Sequence, residues 1–319
     1  MTERRPSPEG VSAAAKRVAP HVTRTPLLPL DWQGRRLWVK AECLQQGGSF
    51  KLRGATNRLL LLGEAERARG VVAFSSGNHA QGVAIAARRL GIPAVIVMPA
   101  DAPNVKVEAT RAAGAEIVFC DRLRDSREAI AAALAAERGA ALVPSFDDVD
   151  VIEGQGSVGV ELGEQLGGAP DTVIVPCGGG GLSAGIALAL PGTQVVTAEP
   201  AGWDDMARSL LAGVPLPVED PAPATRCDAL QTRLVSPLTL GALRERGARG
   251  VAVTEAEVEA AMALAARELR IVAEPGGAVA LAALLAGKVG DATERTVVVV
   301  SGGNVDPALY AAILAAQAT

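Results

Sequence analysis

The chain has 319 residues, of which 49% are hydrophobic and 21% charged, and its net charge is −4. That is the makeup of a soluble globular protein of about two domains. No Lys/Arg block and no membrane-length apolar run is present, which argues against nucleic acid or a bilayer as the main partner.

In chain order, short β-branched runs alternate with alanine-rich helical stretches. Strands are expected over 37–40, 71–74, 94–98, 116–119, 172–175, 194–199, 250–253 and 296–300. Helices are expected over 55–62, 78–90, 105–113, 126–136, 155–166, 182–190, 255–269 and 276–285. The runs at 173–175 and 297–300 are apolar on both faces, as in the middle of a parallel sheet covered on both sides. The alternation predicts an α/β fold with right-handed crossovers. Residues 70–146 read as a small domain inserted into a larger one formed by 1–69 and 147–319, placed to close over a cleft.

Cys43, Cys120, Cys177 and Cys227 are far apart, and two histidines are too few for a histidine metal site. Reduced thiols in a cytoplasmic protein fit better than a disulfide framework. Met1 to Pro8 is polar, with no signal-peptide core.

In open α/β sheets, ligands sit past the carboxyl ends of the strands. Three small-residue turns occupy such places: Ser75-Ser76-Gly77-Asn78-His79, Gly178-Gly179-Gly180-Gly181 and Ser301-Gly302-Gly303-Asn304. The four glycines open onto a helix start, so bare backbone amides can form an anion site there; a tight βα turn without a ligand is the other reading. They lack the Gly-Lys-Ser/Thr ending of a nucleotide loop. The Ser75 segment suits a carboxylate, and reads equally well as an ordinary helix cap. Ser301 ends a buried strand, where its hydroxyl needs a partner. His79 reads as a locally bonded structural residue. Lys51, in Gly47-Gly48-Ser49-Phe50-Lys51-Leu52-Arg53-Gly54, has small and apolar neighbours. Partial desolvation lowers a lysine pKa, and a neutral amine can form a Schiff base. Taken alone, Lys51 reads more simply as a solvated loop lysine.

Together these segments resemble the fold-type II pyridoxal-phosphate enzymes, and within them the threonine/serine dehydratase and serine racemase branch. The resemblance runs from about Thr25 to Asp306. It implies a tryptophan-synthase-β-like fold: two open, mostly parallel sheets covered by helices, with residues 1–69 and 147–319 binding the cofactor and 70–146 closing over substrate. By resemblance, Lys51 carries pyridoxal 5'-phosphate and Phe50 packs on its ring. Gly178, Gly179, Gly180 and Gly181 hold the phosphate, Asn78 contacts the ring hydroxyl, and Ser301 contacts the ring nitrogen. Ser75, Ser76, Gly77, Asn78 and His79 hold the substrate carboxylate. Lys51 is the α-proton base, and Ser76 stands where racemases exchange the proton on the other face. The implied reaction is α,β-elimination from L-threonine, L-serine or 3-hydroxyaspartate, with racemisation of serine or aspartate as the alternative.

Arg127 aligns with an arginine near substrate in members handling serine or 3-hydroxyaspartate; a solvated helix arginine is the equal alternative. In Glu199-Pro200-Ala201-Gly202-Trp203-Asp204-Asp205, the Glu199 and Asp205 carboxylates and the Trp203 carbonyl align with ligands of a divalent cation (Mg2+, Ca2+ or Mn2+). A capped helix start is the other reading. Ala229 departs from the glycine common after the aspartate in Asp228-Ala229-Leu230, which bears on ring tilt and substrate range. The resemblance also implies a homodimer. The end at Thr319 suggests no regulatory domain and no feedback control of the biosynthetic type.

Overall fold

A computed structural model describes residues 4–317 apart from 103, 122 and 123. Ten strands among them form two sheets: β1 (Leu27–Trp32), β2 (Arg35–Ala41), β3 (Val71–Phe74), β4 (Ala94–Pro99), β5 (Glu116–Cys120), β6 (Ala141–Leu142), β7 (Thr172–Pro176), β8 (Gln194–Pro200), β9 (Arg249–Val253) and β10 (Thr296–Val300). The larger sheet runs β1-β2-β10-β7-β8-β9, antiparallel only at β1. The smaller, β5-β4-β3-β6, is parallel throughout.

β10 shows why the larger sheet is central. Val298 and Val300 enter one core with the helices Glu255–Leu264 and Pro275–Leu285, while Val297 and Val299 enter another with Pro8–Val18, Ser157–Gln165 and Gly181–Ala189. Each valine is fully buried, which stabilises the fold by roughly 1.5–3 kcal/mol per side chain. Under the smaller sheet, Leu52, Ala55, Leu59 and Val151 join the core although they lie outside 70–146. Among the described residues no helix is long and apolar enough to cross a membrane.

Several elements differ from the sequence expectation. β1 was not expected because Pro29 and Asp31 interrupt its pattern; at the sheet edge the missing proline N–H is tolerated. The helices Pro8–Val18, Pro237–Glu245 and Pro307–Ala316 each carry proline in the first turn behind a capping Ser7, Ser236 or Asp306. Proline marks the start of these helices. The expected 255–269 helix is α only to Leu264, then makes a π turn over Ala265–Leu269 and stops at Arg270 in the left-handed region (φ 57°).

The helix Lys51–Leu60 starts at the lysine itself, four residues earlier than expected. Arg53, fully buried, ties its first turn down. Its Nε and Nη2 each donate to Glu42 at 2.8 Å. Its Nη1 and Nη2 donate to Glu161 at 2.7 and 3.0 Å, and Nη1 donates to Ser157 at 3.2 Å. Lys40 reaches the same Glu161 at 2.6 Å. The network clamps the lysine helix to β2 and to the helix Ser157–Gln165.

Candidate active site

Parallel strands align their carboxyl ends, so the loops after the neighbouring β7 and β10 emerge side by side. The lysine turn is stitched to the second of these: Phe50 N donates to Ser301 O at 3.1 Å, and Gly303 N donates to Gly48 O at 2.9 Å. Asn304 Nδ2 donates to both Gly47 O and Asn78 Oδ1 at 2.8 Å. Asn78 opens the helix Asn78–Leu90 that follows β3, so this bond couples the two sheets. Gly82 on that helix lies against the lysine backbone. A Cβ there would be 3.0 Å from the Lys51 carbonyl carbon, so only a residue without a side chain lets the helices meet so closely.

Lys51 is partly buried, and its Nζ donates to Ser145 O at 3.0 Å. Burial pulls the amine down to about 8, so a useful fraction is neutral near physiological pH. The Phe50 ring lies 5.1 Å from the nitrogen. His79 is buried, and its Nε2 contacts Val143 O at 2.8 Å. Burial, then the Lys51 charge, pull His79 down to about 3 against the pull of that carbonyl. Ser75 Oγ accepts from Gly77 N at 3.1 Å, shaping the turn before Asn78, and Ser76 lies half-buried between them.

Gly178 to Gly181 form the turn into the helix Gly181–Ala189. The first intrahelical bond is Ala184 N to Gly180 O, at 2.8 Å, so the preceding amides have no helical partner. Thr239 Oγ1 holds the turn by donating to Gly179 O at 2.8 Å. A Cβ on Gly179 would sit 2.3 Å from the Phe146 ring. Only glycine fits beneath that ring, which leaves a cradle of backbone donors.

Glu274, Ser145 and Phe146 were not anticipated. Glu274 precedes a proline at a helix start and reads as a cap, but makes no side-chain cap bond. Its carboxyl instead accepts from Asn78 Nδ2 at 2.5 Å. Burial, then the Asp228 charge, push it up to about 7. No local pattern marks it; only the meeting of distant segments does.

The remaining predicted residues lie apart. Arg127 begins the helix Arg127–Arg138, is 38% exposed, and pairs with Glu128 at 3.0 Å. Glu199 ends β8 fully buried and accepts from Met206 N at 2.9 Å and Ala207 N at 2.8 Å, so it caps the helix Asp205–Ala212 from outside. Burial and the Asp205 charge push Glu199 well above the carboxylate range. Both Asp205 oxygens are buried without a partner, and burial raises that carboxyl to about 7. Among the described residues no group of three or more His, Cys, Asp or Glu side chains gathers as a metal cage.

A desolvated lysine, a glycine cradle on a helix start and a serine-lined helix start thus converge from separate parts of the chain. Residues 18–302 match the family model described as pyridoxal-phosphate dependent enzyme. The chain is a fold-type II pyridoxal-phosphate enzyme of the threonine/serine dehydratase–serine racemase family. It is 42% identical over 312 residues to an L-threo-3-hydroxyaspartate ammonia-lyase from Pseudomonas sp, covering 95% of this chain and 97% of that one. Maize serine racemase superimposes with a TM-score of 0.91 at 36% identity, covering 98% of both chains. The T.th. threonine deaminase superimposes with a TM-score of 0.86 at 44% identity, covering 94% of this chain and 99% of that one. This pyridoxal-phosphate enzyme therefore acts on small amino-acid substrates. The donor set fits the cofactor: amides and the Gly179 cradle for a phosphate, and the Lys51 amine for an aldehyde.

Proposed function

We propose that this enzyme is an ammonia-lyase that eliminates water from a β-hydroxy amino acid, with 3-hydroxyaspartate, L-serine and L-threonine as the substrate set. The observation that carries the reading is the Lys51 amine, lowered to about 8 and held on Ser145 O, beside a helix start able to bind a carboxylate. Similarity over nearly the whole chain to two L-threo-3-hydroxyaspartate ammonia-lyases and a beta-hydroxyaspartate dehydratase supports the substrate class.

When bound, pyridoxal phosphate supplies the electron sink for the α-carbon. The chain does the rest. Gly178 to Gly181 hold the phosphate through backbone amides. Phe50 would pack on the ring, Ser301 would contact its nitrogen, and Asn78 would contact its hydroxyl. Ser75 to His79 orient the substrate carboxylate at the helix start. Lys51, neutral once free, takes the α-proton. Residues 70–146 close over the substrate and exclude water. Arg127 turns inward to meet a second carboxylate, for which its planar fork is suited. Glu199, Asp205 and the Trp203 carbonyl would hold a divalent cation away from the reacting bond; the partnerless Asp205 oxygens support this.

A steady-state screen of L-serine, L-threonine and both 3-hydroxyaspartate diastereomers, reading 2-oxo acid and ammonia, tests the proposal. Ser76 permits one second reading, a racemase, although dehydratases can carry the same serine. Chiral analysis of residual substrate separates the two: faster formation of the D-isomer than of 2-oxo acid would overturn the lyase.

A further inference from the structure

His79 has two ring nitrogens, and the described contacts engage one. Nε2 lies 2.8 Å from the Val143 carbonyl, a group that can only accept, so Nε2 carries the hydrogen and Nδ1 the lone pair. Nδ1 is buried and has no hydrogen-bond partner. Buried polar atoms of this kind are normally satisfied. His79 and Gly82 are three residues apart on one helix and share a face. That face meets Lys51, since a Cβ on Gly82 would be 3.0 Å from the lysine carbonyl carbon. The carbonyls that receive His79 Nε2 and Lys51 Nζ belong to Val143 and Ser145, on one short segment leaving β6.

A neutral lysine amine has two N–H bonds and one lone pair. Ser145 O takes the first N–H, at 3.0 Å. We propose that His79 Nδ1 takes the second when Lys51 acts, so that the only direction left to the lone pair is the substrate α-carbon. His79 is then a positioning residue. In the step, the α C–H bond breaks, the proton joins the Lys51 nitrogen, and the electron pair stays with the substrate. The ring stays neutral throughout; burial and the nearby Lys51 keep it from taking a proton itself. The proposal rests on Lys51 being the α-proton base.

Two variants separate the ring's two bonds. His79→Gln retains a donor for Val143 and loses the Nδ1 acceptor, while His79→Asn retains an acceptor near Nδ1 and loses the donor. In the holoenzyme, His79→Gln is expected to lower kcat roughly 10- to 100-fold with little change in KM, and to raise the isotope effect with α-deuterated substrate. His79→Asn, which restores an acceptor near Nδ1, is expected to lose less kcat than His79→Gln and to show the smaller isotope effect. In the cofactor-stripped full chain at neutral pH, where the freed Lys51 side chain is expected to swing onto Nδ1, acetic anhydride labelling of Lys51, read by peptide mass spectrometry, should rise roughly fivefold in His79→Gln, which lacks that acceptor. The reverse order of the two variants would assign the ring to anchoring on Val143 and overturn the proposal, as would unchanged Lys51 labelling in His79→Gln. If the wild type released no 2-oxo acid from any β-hydroxy amino acid, the lyase reading would fall, while the labelling comparison would still decide the role of His79.

Discussion

Replacing Arg53 by methionine removes the guanidinium from a fully buried site. Arg53, Glu42 and Lys40 are fully buried, and the Glu161 side chain is only 14% exposed. The substitution deletes the six hydrogen bonds Arg53 makes to Glu42, Glu161, Ser157 and Thr23. Glu161 keeps Lys40 at 2.6 Å. Glu42 keeps one hydrogen bond, from the Thr25 hydroxyl at 2.5 Å, so a buried carboxylate loses its hydrogen-bonded cation and retains only the Lys40 charge nearby. Breaking a buried pair from one side costs about 3–5 kcal/mol. Arg53→Met should therefore lose about that much in urea unfolding followed by tryptophan fluorescence at saturating cofactor. Adding Glu42→Gln removes the stranded charge and should restore about 1–3 kcal/mol, giving a strongly non-additive cycle. A single-variant loss under about 1 kcal/mol, or an additive cycle, would refute the reasoning.

The same cluster sets an acid response. Burial alone would raise the Glu161 carboxyl, but Arg53 and Lys40 outweigh burial and hold it below the usual range. Its contribution to stability is present above the unfolded glutamate pKa of about 4.3 and is lost as pH falls through the lower folded value; acid titration of stability should be shallower in Arg53→Met than in wild type. Gly179→Ala forces a Cβ to 2.3 Å from the Phe146 ring and should weaken cofactor binding by about 1–3 kcal/mol, measured by absorbance titration. Mg2+, Ca2+ or Mn2+ should raise the melting temperature of wild type over chelator-treated protein, and should leave Asp205→Asn unmoved; equal shifts in both would remove Asp205 as a ligand. Arg127→Ala should lower kcat/KM for 3-hydroxyaspartate at least tenfold more than for L-threonine, and equal losses would take Arg127 out of β-carboxylate recognition.

Much of this enzyme was legible in local pattern because local chemistry dictates it. Val297 to Val300 read as a strand covered on both faces and are one, and the four successive glycines read as a turn into a helix start, which they form. The motif at Lys51 and the turns at Ser75, Gly178 and Ser301 carried the family, and the family model and relatives agree with it. What the pattern could not show depends on residues far apart in sequence. β1 is a strand despite Pro29 because the sheet edge excuses the missing donor. Arg53 looks like any helix arginine until Glu42 and Glu161 arrive from β2's end and a helix 108 residues away. Glu274 passes for a cap, but reaches Asn78, 196 residues distant, and is pushed towards neutrality there. The pKa of Lys51 and the partnerless nitrogen of His79 likewise follow from burial, and burial is decided only when the two sheets close around the lysine helix.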